Sequence, residues 1–357
     1  MSDLIVEVCT IDAIRPHPNA DSLSIAVIKG WQVCFNHEQT EHSVGDPVIY
    51  IPPDTMVPTE TAINWGVEKY LSFYKNRYPG YGKVKQVKLR GEMSYGFMIA
   101  APNMAIGTDM VEVLDLKKWE PPITKGSPGD METPCNNFPI YTGIQNWRNF
   151  PDIIGEGEDV VVTEKLHGTN FRCGLCWENV GDQEPVLMIG THRTRRKLGM
   201  DSMYEAPLKL YPAIEEMLQC IFAAADITNE HPNVVLYGEI YGCGVQDLQY
   251  GLDSLDFRAF DIKIDDDYMD YETYRAHCLH FDIPTVPLLF RGEFDYAHIS
   301  GLASGKTTML DQPGKKDLLE GIVIKPQVER QHPKLGRVIL KMISDDYLLR
   351  RDGSEKH

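Results

Sequence analysis

The sequence predicts an α+β protein of two domains, in which a small β-barrel precedes a larger domain of mainly antiparallel sheets flanked by helices. Three observations support this prediction. Short apolar runs broken by turn residues fill the first third of the chain, a proline-rich segment follows, and strand patterns then mix with helical patterns. A length of 357 residues suits two domains better than one, and a hydrophobic content of 43% supports well-filled cores.

The barrel is predicted to occupy residues 1–115. Its strand-like runs include IAVIKG, PVIYIPP and KVKQVKLRGEMSYGFMIA, which are short and separated by turns. The following segment, residues 116–140, has no apolar periodicity and is rich in proline, so it is predicted to be a linker. Its prolines are Pro121, Pro122, Pro128, Pro134 and Pro139.

Residues 141–357 are predicted to form the second domain. The runs NVVLYGEIYG, DFRAFDIKI, GIVIKP and RVILKMI are typical of strands because they are rich in β-branched and aromatic residues. The stretch APLKLYPAIEEMLQCIFAAAD has apolar residues at helical spacing, which predicts a single helix packed on the core. The residues on its predicted apolar face are Leu210, Ile214, Met217, Leu218 and Ile221.

The charge and the cysteines narrow the possible classes of function. A net charge of −17 argues against a general nucleic-acid coat, but the segments KNRYPGYGKVKQVKLRGEM and THRTRRKLG are locally basic. No apolar run approaches the length of a membrane span, and the first residues lack the pattern of a signal peptide. Eight scattered cysteines in apolar settings indicate buried thiols. We therefore expect a cytoplasmic protein without a membrane partner, and no segment indicates a protein partner.

The stretch VVVTEKLHGTNFRC places Lys165 where a predicted buried strand runs into a glycine turn. Desolvation favours the neutral amine of a lysine, and the neutral amine is a nucleophile whereas the ammonium is not. On this stretch alone, a strand-end lysine that reaches solvent is the simpler interpretation. The segments around it in the rest of the chain decide between the two.

The N-terminal segments HPNADSLSIAVIKG, VGDPVIYIPPDTMVP and VKQVKLRGEMSYGFMI are similar to the tRNA-binding OB-fold modules appended to synthetases. That resemblance implies a strand face on which basic side chains hold a nucleic-acid backbone and aromatic side chains stack on bases. The candidate RNA-binding residues are Lys85, Lys88 and Arg90. Tyr74, Tyr78 and Tyr81 lie among the basic residues of the same segment.

The motifs that follow Lys165 resemble the covalent nucleotidyltransferase superfamily of ligases and capping enzymes. They run in the order Lys-x-His-Gly, LYGEIYG, FRAFDI, EGIVIK and ILKMIS. Within that superfamily, EKLHGTN resembles the ATP-dependent RNA ligases, one branch of which has an OB-type domain in front. The resemblance implies sealing of a 3′-hydroxyl to a 5′-phosphate through lysyl-AMP and an adenylylated 5′ end. It also implies a role in RNA repair, with a nicked duplex or a tRNA-like RNA as the partner.

The same resemblance implies a role for individual residues. Lys165 matches the nucleophile, and Glu320 matches a carboxylate associated with Mg²⁺ or Mn²⁺, which prefer oxygen ligands. Phe260 matches an aromatic that stacks on adenine, and Glu239 matches an acceptor for a ribose hydroxyl. The residues implied to bind ATP are Glu164, His167, Asn170, Arg193, Glu239, Phe260, Lys325 and Lys341.

The sequence departs from the pattern of this superfamily at two positions. His167 stands where many relatives have an aspartate, and Ile343 stands where relatives often have a second lysine. The second departure leaves open which group neutralises the α-phosphate. Two alternatives therefore stay open: an RNA-binding protein with an inactive transferase domain, and a DNA ligase or capping-type nucleotidyltransferase.

Three motif-like segments are interpreted without a cofactor. GLASGKTT has Ser300 where a phosphate-binding loop needs its first glycine, and no clear strand precedes it. Cys173 and Cys176 have a zinc-like spacing, but no second pair follows, and residues three apart on a strand face opposite sides. The segment HCLH, with His277 and His280, is predicted to end a helix.

Overall fold

The computed structural model describes residues 3–74, 76–120, 128–179, 181–227, 230–310 and 318–349. Lys75 of the first basic segment and residues 121–127 of the predicted linker lie outside these ranges. In the described part of the chain, no helix is both long and apolar enough to cross a membrane.

Four small antiparallel sheets form the N-terminal barrel, with the strand orders β1-β5-β11, β2-β3-β4, β9-β10 and β12-β6-β8-β7. The strands are β1 (Val8–Thr10), β2 (Ala13–Pro16), β3 (Leu23–Ile28), β4 (Trp31–Asn36), β5 (Pro47–Ile51), β6 (Thr55–Pro58), β7 (Ser72–Phe73), β8 (Tyr81–Lys83), β9 (Gln86–Leu89), β10 (Glu92–Tyr95), β11 (Phe97–Ala100) and β12 (Lys117–Lys118). Helix α1 (Thr59–Asn64) and a 3₁₀ turn (Glu68–Tyr70) connect β6 to β7.

Strand β5 stabilises the barrel, because both faces of this strand are buried. Val48 and Tyr50 pack into one apolar cluster, and Ile49 and Ile51 pack into the other. Leu116 also belongs to this core, and β12 pairs with β6. The first residues of the predicted linker are thus part of the barrel.

The second domain is built on two main sheets, with the strand orders β13-β25-β22-β14-β21 and β17-β16-β15-β18-β19-β20, and β23 and β24 form a separate two-stranded antiparallel ribbon. All pairs within them are antiparallel except β13 with β25. The strands are β13 (Gln145–Asn146), β14 (Asp159–Lys165), β15 (Thr169–Cys176), β16 (Val186–Gly190), β17 (Arg195–Arg196), β18 (Val234–Gly242), β19 (Leu255–Ile264), β20 (Asp267–Tyr268), β21 (Leu288–Glu293), β22 (Gly321–Pro326), β23 (Gln331–His332), β24 (Gly336–Arg337) and β25 (Leu340–Ile343). The predicted α+β class is confirmed.

The helices of this domain pack at the edges and on one face of the sheets. They are α2 (Ala206–Leu210), α3 (Ala213–Asp226), α4 (Tyr271–His280), α5 (Tyr296–Leu302) and α6 (Asp345–Leu349), with 3₁₀ turns at Pro128–Asp130, Trp147–Asn149 and Met203–Glu205. Helix α4 ends at His280, as the HCLH segment predicts.

The prediction of one helix across residues 206–226 was wrong. The chain leaves the helical conformation at Tyr211, which precedes Pro212, because proline disfavours the helical region for the residue before it. Leu210 is consequently 48% exposed, whereas the other four predicted core residues of the stretch are buried on α3.

Strand β15 separates two apolar clusters of the second domain. Phe171, Cys173 and Leu175 pack into one cluster, and Cys176 packs into the other, so the CGLC cysteines are core thiols on opposite faces. Phe138, near the end of the predicted linker, is buried in the same cluster as Cys176. Residues near both ends of the predicted linker thus pack into the apolar clusters of the two domains, and the domain boundaries stay a prediction.

Candidate active site

A cavity of about 130 Å³ lies between the two sheets of the second domain. Most of the residues predicted to bind ATP line it, from strands of both sheets. Glu164 and Lys165 come from β14, Lys325 from β22 and Lys341 from β25, and they face Asn170 of β15, Glu239 of β18 and Phe260 of β19.

Lys165 stands at the end of β14, beside the start of β22. Its register partner is Gly321, so Glu320 is its close neighbour, and the Lys165 Nζ lies 2.5 Å from the Glu320 Oε1. Glu320 is 1% exposed, and the side chain of Lys165 is 15% exposed. A Cβ at position 321 would lie 2.2 Å from the Met342 carbonyl oxygen, so only glycine permits this approach. The sheet therefore holds an amine and a carboxylate together beside the cavity.

The glycine of the Lys-x-His-Gly motif has a steric purpose as well. A Cβ on Gly168 would lie 2.2 Å from the Ile240 carbonyl oxygen of β18. The close approach lets β15 start immediately after the turn, and Asn170 then pairs in register with Glu239. Asn170 Oδ1 is buried and has no hydrogen-bond partner among the described residues. It is thus an acceptor that a bound ligand can satisfy.

Glu239 is a carboxyl group in a poorly solvated position. Desolvation raises the pKa of Glu239 to about 8; the Lys165 charge opposes this rise, and the Glu320 charge adds to it. At neutral pH the group is mostly protonated. It can therefore donate a hydrogen bond as well as accept one from a hydroxyl group.

Glu164 is held by the segment that resembles a phosphate-binding loop. Its buried carboxylate accepts hydrogen bonds from the backbone N–H of Thr308 at 2.9 Å, from Thr308 Oγ1 at 2.6 Å and from Thr307 Oγ1. Helix α5, not a strand, precedes this segment, so the rejection of a phosphate-binding loop is consistent with the structure. No sequence motif connects the two threonines with Glu164.

His167 does not line the cavity. Its side chain is fully buried, with Nε2 2.8 Å from the Asp247 Oδ1 and Nδ1 2.9 Å from the Tyr347 hydroxyl. Its backbone N–H donates to the Tyr250 hydroxyl at 2.6 Å. The structure thus fixes the ring behind the cavity wall instead of presenting it to a phosphate. Asp247 and Tyr347 are distant in sequence, and no motif points to them.

Lys325 lines the cavity as one member of a buried ion network. Its ammonium group contacts Asp261 and lies 3.3 Å from Glu329, while Arg337 Nη2 lies 2.9 Å from the second oxygen of Asp261. Burial alone would raise the pKa of Asp261, but Arg337 and Lys325 outweigh it and hold that pKa below its usual value. The charge of Lys325 is therefore balanced by carboxylates of the chain.

Arg193 lies away from the cavity. Its guanidinium lies 3.2 Å from the carboxylate of Glu120, directly after β12 of the barrel. The neighbouring His192 lines the cavity instead. The basic segment therefore reaches the cavity through His192, which no sequence motif indicated.

The donor set near Lys165 fits a divalent cation that arrives with a nucleotide. Within the described ranges, no group of three or more His, Cys, Asp or Glu side chains could hold a metal ion. Magnesium commonly takes one or two carboxylates and completes its shell with water and substrate phosphates. Glu320 supplies one such carboxylate beside the reactive amine. At position 343, the isoleucine packs with Leu166 and Tyr347, so it contributes no charge.

A second cavity, the interdomain cleft, has a volume of about 230 Å³. Its walls include Trp119 of the barrel side and Arg148 of the second domain, whose guanidinium lies 4.6 Å from the centre of the Trp31 ring. The Tyr95 hydroxyl donates to Asp345 at 2.5 Å across the same boundary. Lys341 lines both the interdomain cleft and the smaller cavity. The two cavities therefore adjoin at this lysine.

Of the three basic residues predicted to bind RNA, Lys88 and Arg90 lie on the hairpin of β9 and β10, and Lys85 directly precedes β9. Lys85, Lys88 and Arg90 are exposed, and Arg90 and Gly91 form the turn with positive φ angles. They line neither cavity. Their accessibility is consistent with a nucleic-acid contact, but the structure does not bring them to Lys165.

Comparison with known proteins agrees with this arrangement. An RNA ligase family model matches residues 158–343, and an OB-fold domain model matches residues 5–103. The phenylalanine–tRNA ligase beta subunit of Syntrophus aciditrophicus is 31% identical over 31% of this chain. The alignment covers 14% of that protein, so the chain spans about one seventh of its length.

Solved structures of the RNA ligase of Naegleria gruberi resemble the whole chain. A lysine variant with AMP and manganese has a TM-score of 0.77 at 21% identity, covering 98% of this chain and 99% of that chain. The complex with pyrophosphate has a TM-score of 0.74 at 22% identity, with coverages of 98% and 99%. At such identities the likeness establishes the fold. The family model spans just over half of the sequence and contains Lys165, Glu239, Glu320 and Lys341, and the chain therefore belongs to the RNA ligase family.

Proposed function

We propose that this protein is an ATP-dependent RNA ligase that joins a 3′-hydroxyl to a 5′-phosphate. The observation that carries the proposal is the position of Lys165, whose amine stands at the wall of the cavity 2.5 Å from Glu320. The opposite wall supplies the flat ring of Phe260 and the polar groups of Asn170 and Glu239. An amine, an aromatic face and acceptors for hydroxyl groups are the groups that adenylation of a lysine needs.

The reaction consists of three transfers. Lys165 first gives up its ammonium proton to solvent; its neutral amine then forms a bond to the α-phosphorus of ATP as the bond from that phosphorus to the leaving pyrophosphate breaks. The 5′-phosphate of the RNA then takes the AMP from the lysine, and the 3′-hydroxyl finally attacks the activated phosphate and releases AMP. Phosphoryl-type transfers depend mainly on positioning and on charge stabilisation.

The chain supplies most of this positioning. Glu320 holds the amine of Lys165, and the Thr307 and Thr308 hydroxyls hold Glu164 at the neighbouring position of β14. Lys341 brings a cation to the junction of the two cavities, where the phosphates of a nucleotide stacked on Phe260 would lie. A Mg²⁺ or Mn²⁺ ion held by Glu320 would supply charge neutralisation at the phosphates.

The relatives support the choice of nucleotide and metal. Structures of the Naegleria gruberi enzyme contain ATP and manganese, AMP and manganese, or pyrophosphate. We infer the same substrate and a divalent ion for this chain. We further propose that the RNA substrate is a nicked duplex or a tRNA-like RNA, that the protein acts in RNA repair and that it is cytoplasmic. These three proposals rest on the sequence motifs and on the OB-type barrel.

The test is label transfer from ATP. The full chain is incubated with [α-³²P]ATP and Mg²⁺ or Mn²⁺, and the protein is resolved on a denaturing gel. We expect a covalent label with ATP, none with Lys165→Ala and little with [α-³²P]GTP. Sealing of a nicked duplex with RNA or with DNA at the 3′-hydroxyl side then separates an RNA ligase from a DNA ligase. If the wild-type chain takes no label from either nucleotide, the protein is instead an RNA-binding protein with an inactive transferase domain.

A further inference from the structure

The barrel carries three neighbouring aromatic rings, Tyr74, Tyr78 and Trp119, which we name the aromatic face. The ring centres of Tyr74 and Trp119 are 4.3 Å apart, and those of Tyr78 and Trp119 are 5.4 Å apart. Tyr74 is 41% exposed, and the adjacent Phe73 is also exposed. Contiguous exposed apolar patches mark interaction sites, and an aromatic ring offers a flat surface to a partner.

Cations surround the aromatic face. The Arg77 guanidinium lies 5.8 Å from the ring centre of Tyr78 and 5.9 Å from that of Trp119. The Lys117 ammonium lies 4.0 Å from the ring centre of Tyr81 on the adjacent strand β8. Both cations are exposed. Rings interleaved with cations are the combination that stacks on bases while contacting a phosphate backbone.

The charge around the aromatic face also fits a polyanion. The sequence from 69 to 91 contains lysines and arginines but no aspartate or glutamate, although the whole chain has a net charge of −17. The acidic side chains named here lie beside cations. Asp54 lies 2.6 Å from Lys83, Glu120 lies 3.2 Å from Arg193, and the exposed Asp115 lies 3.9 Å from Lys117. An approaching phosphate would therefore meet carboxylates that already lie beside cations, together with the exposed Arg77.

The aromatic face is continuous with the active site. Trp119 belongs to the aromatic face and also lines the interdomain cleft. Lys341, on the far side of the interdomain cleft, lines the cavity of Lys165 as well. A strand whose bases stack on Tyr74 could thus follow the interdomain cleft to the reactive lysine.

We propose that the aromatic face binds unpaired nucleotides at the end of the RNA substrate and guides that end through the interdomain cleft towards Lys165. This proposal rests on the proposed function as an RNA ligase. It places the main single-strand contact at Tyr74, Arg77 and Trp119. The basic residues Lys85 and Lys88 then contribute charge without stacking, since no described aromatic contact involves them.

The occupant is unpaired RNA because a duplex hides the faces of its bases. An aromatic side chain can stack only on a base that has left its own stack, whereas a duplex offers phosphates and groove edges. The aromatic face has rings to offer a base and only a few cations to offer a backbone. The aromatic face should therefore add little to the affinity for a duplex end without an overhang.

The experiment measures binding separately from chemistry. The full chain in EDTA, without ATP, is titrated into a fluorescent single-stranded 12-mer RNA and into a blunt duplex of the same sequence, and anisotropy gives both dissociation constants. Lysyl-AMP formation is measured in parallel without RNA. The variants are Tyr74→Ala, with Tyr74→Phe as the matched control, and Arg77→Ser, with the exposed Lys334→Ser as its control.

Tyr74→Ala should weaken single-strand binding about tenfold to a hundredfold, the loss typical of one stacked base. It should leave duplex binding and lysyl-AMP formation unchanged, and Tyr74→Phe should bind as the wild type does. Arg77→Ser should lower the slope of log K against log salt by about 1, while Lys334→Ser should not.

Several results would overturn the proposal. Tyr74→Ala could bind the single strand as tightly as the wild type does, or it could lose as much affinity for the duplex as for the single strand. It could also lose lysyl-AMP formation in parallel, which would show that the ring only supports the fold. If Tyr74→Ala does not fold, an unchanged salt slope in Arg77→Ser refutes the proposal on its own. A wild-type chain that forms no lysyl-AMP refutes the proposed function instead, and the binding measurements still decide the role of the aromatic face.

Discussion

The nucleotide cavity and the aromatic face differ in how far the fold fixes their side chains. In the cavity, Lys165 is tied to Glu320, and the Glu164 carboxylate is held by Thr307 and Thr308. On the aromatic face, Tyr74 and Arg77 stand on a surface loop after the short strand β7 and are exposed. The first region is preorganised for a reaction, and the second is accessible for a large ligand.

This difference has an electrostatic consequence. Charges in a buried site act through a low effective dielectric and are weakly screened by salt, whereas exposed charges are strongly screened. Changes in the cavity should therefore alter rates at every salt concentration. Changes on the barrel should alter RNA affinity, with an effect that depends on salt.

The largest effect is expected from Lys165→Ala. Without the amine no lysyl-AMP can form, so the covalent label should disappear and ATP-dependent sealing should fall below detection. The variant should still fold, because the side chain ends at a cavity wall, but it should melt at a lower temperature because the buried Glu320 carboxylate loses its lysine partner. Label transfer and a thermal melt check both statements. A variant that labels at the wild-type rate would contradict the assignment of the nucleophile.

Glu320→Ala and Lys341→Ala should each slow adenylation at least about tenfold, because one electrostatic partner of a reacting group is typically worth a few kcal/mol. Both residues are buried, so the melts must be compared before the rates are interpreted. The exposed Lys334→Ala is the matched control for loss of a lysine. Normal single-turnover rates of lysyl-AMP formation in either variant would show that the phosphate and metal groups lie elsewhere.

His167 tests whether a buried group behind the cavity wall matters to the reaction. Asp247→Asn removes the charge beside His167 Nε2 but keeps the shape, and Tyr347→Phe removes the hydroxyl at Nδ1. We expect each variant to lower the free energy of unfolding by about 1–3 kcal/mol. In Tyr347→Phe a buried imidazole nitrogen loses its hydrogen-bond partner, and in Asp247→Asn the partner loses its charge. Each variant should also slow adenylation about threefold to tenfold, which is less than the loss expected from Glu320→Ala or Lys341→Ala. An effect on adenylation without any effect on unfolding would instead indicate direct contact with the nucleotide.

The basic hairpin offers the corresponding test on the barrel. Replacing Lys85, Lys88 and Arg90 with serine should leave lysyl-AMP formation unchanged and weaken RNA binding. The ratio of wild-type to variant RNA affinity should be largest at low salt. Each phosphate contact gains free energy from counterion release, and this gain becomes smaller as the salt concentration rises. Titrations of labelled RNA at several salt concentrations measure the slope. A slope equal to that of the wild type would exclude these residues from the RNA contact.

The sequence predicted which residues line the cavity better than it predicted the residues that hold them in place. Lys165, Asn170, Glu239, Phe260 and Lys341 come together because each stands on a strand whose pattern is strong, and antiparallel sheets bring such strands into register. The groups that hold them come from loops and from the C-terminal helix. Thr308, Asp247 and Tyr347 follow no local pattern, because their partners are fixed only by the tertiary fold.

Two residues predicted to bind ATP do not line the cavity, for the same reason. A basic segment was expected to present Arg193 to the nucleotide, but the turn before β17 directs that side chain to Glu120 and puts His192 on the wall. A histidine in the motif was expected to meet phosphates, but its ring is packed behind the wall. Local spacing places a residue near a site, and the direction of its side chain depends on neighbours that are distant in sequence.

The smallest effect is expected from Glu239→Gln, and it appears in stability. The pKa of Glu239 rises from an ordinary value of 4.5 to about 8 on folding, so the folded state binds this proton more tightly than the unfolded state does. The contribution of Glu239 to stability is therefore complete below about pH 4.5 and is lost as the pH rises towards 8. Glutamine has the shape of the protonated group and cannot ionise. Urea unfolding in EDTA should show the variant gaining about 1–3 kcal/mol over the wild type between pH 5 and pH 8. A pH-independent difference would mean that Glu239 is ionised in the folded protein, as an exposed carboxylate of the barrel would be.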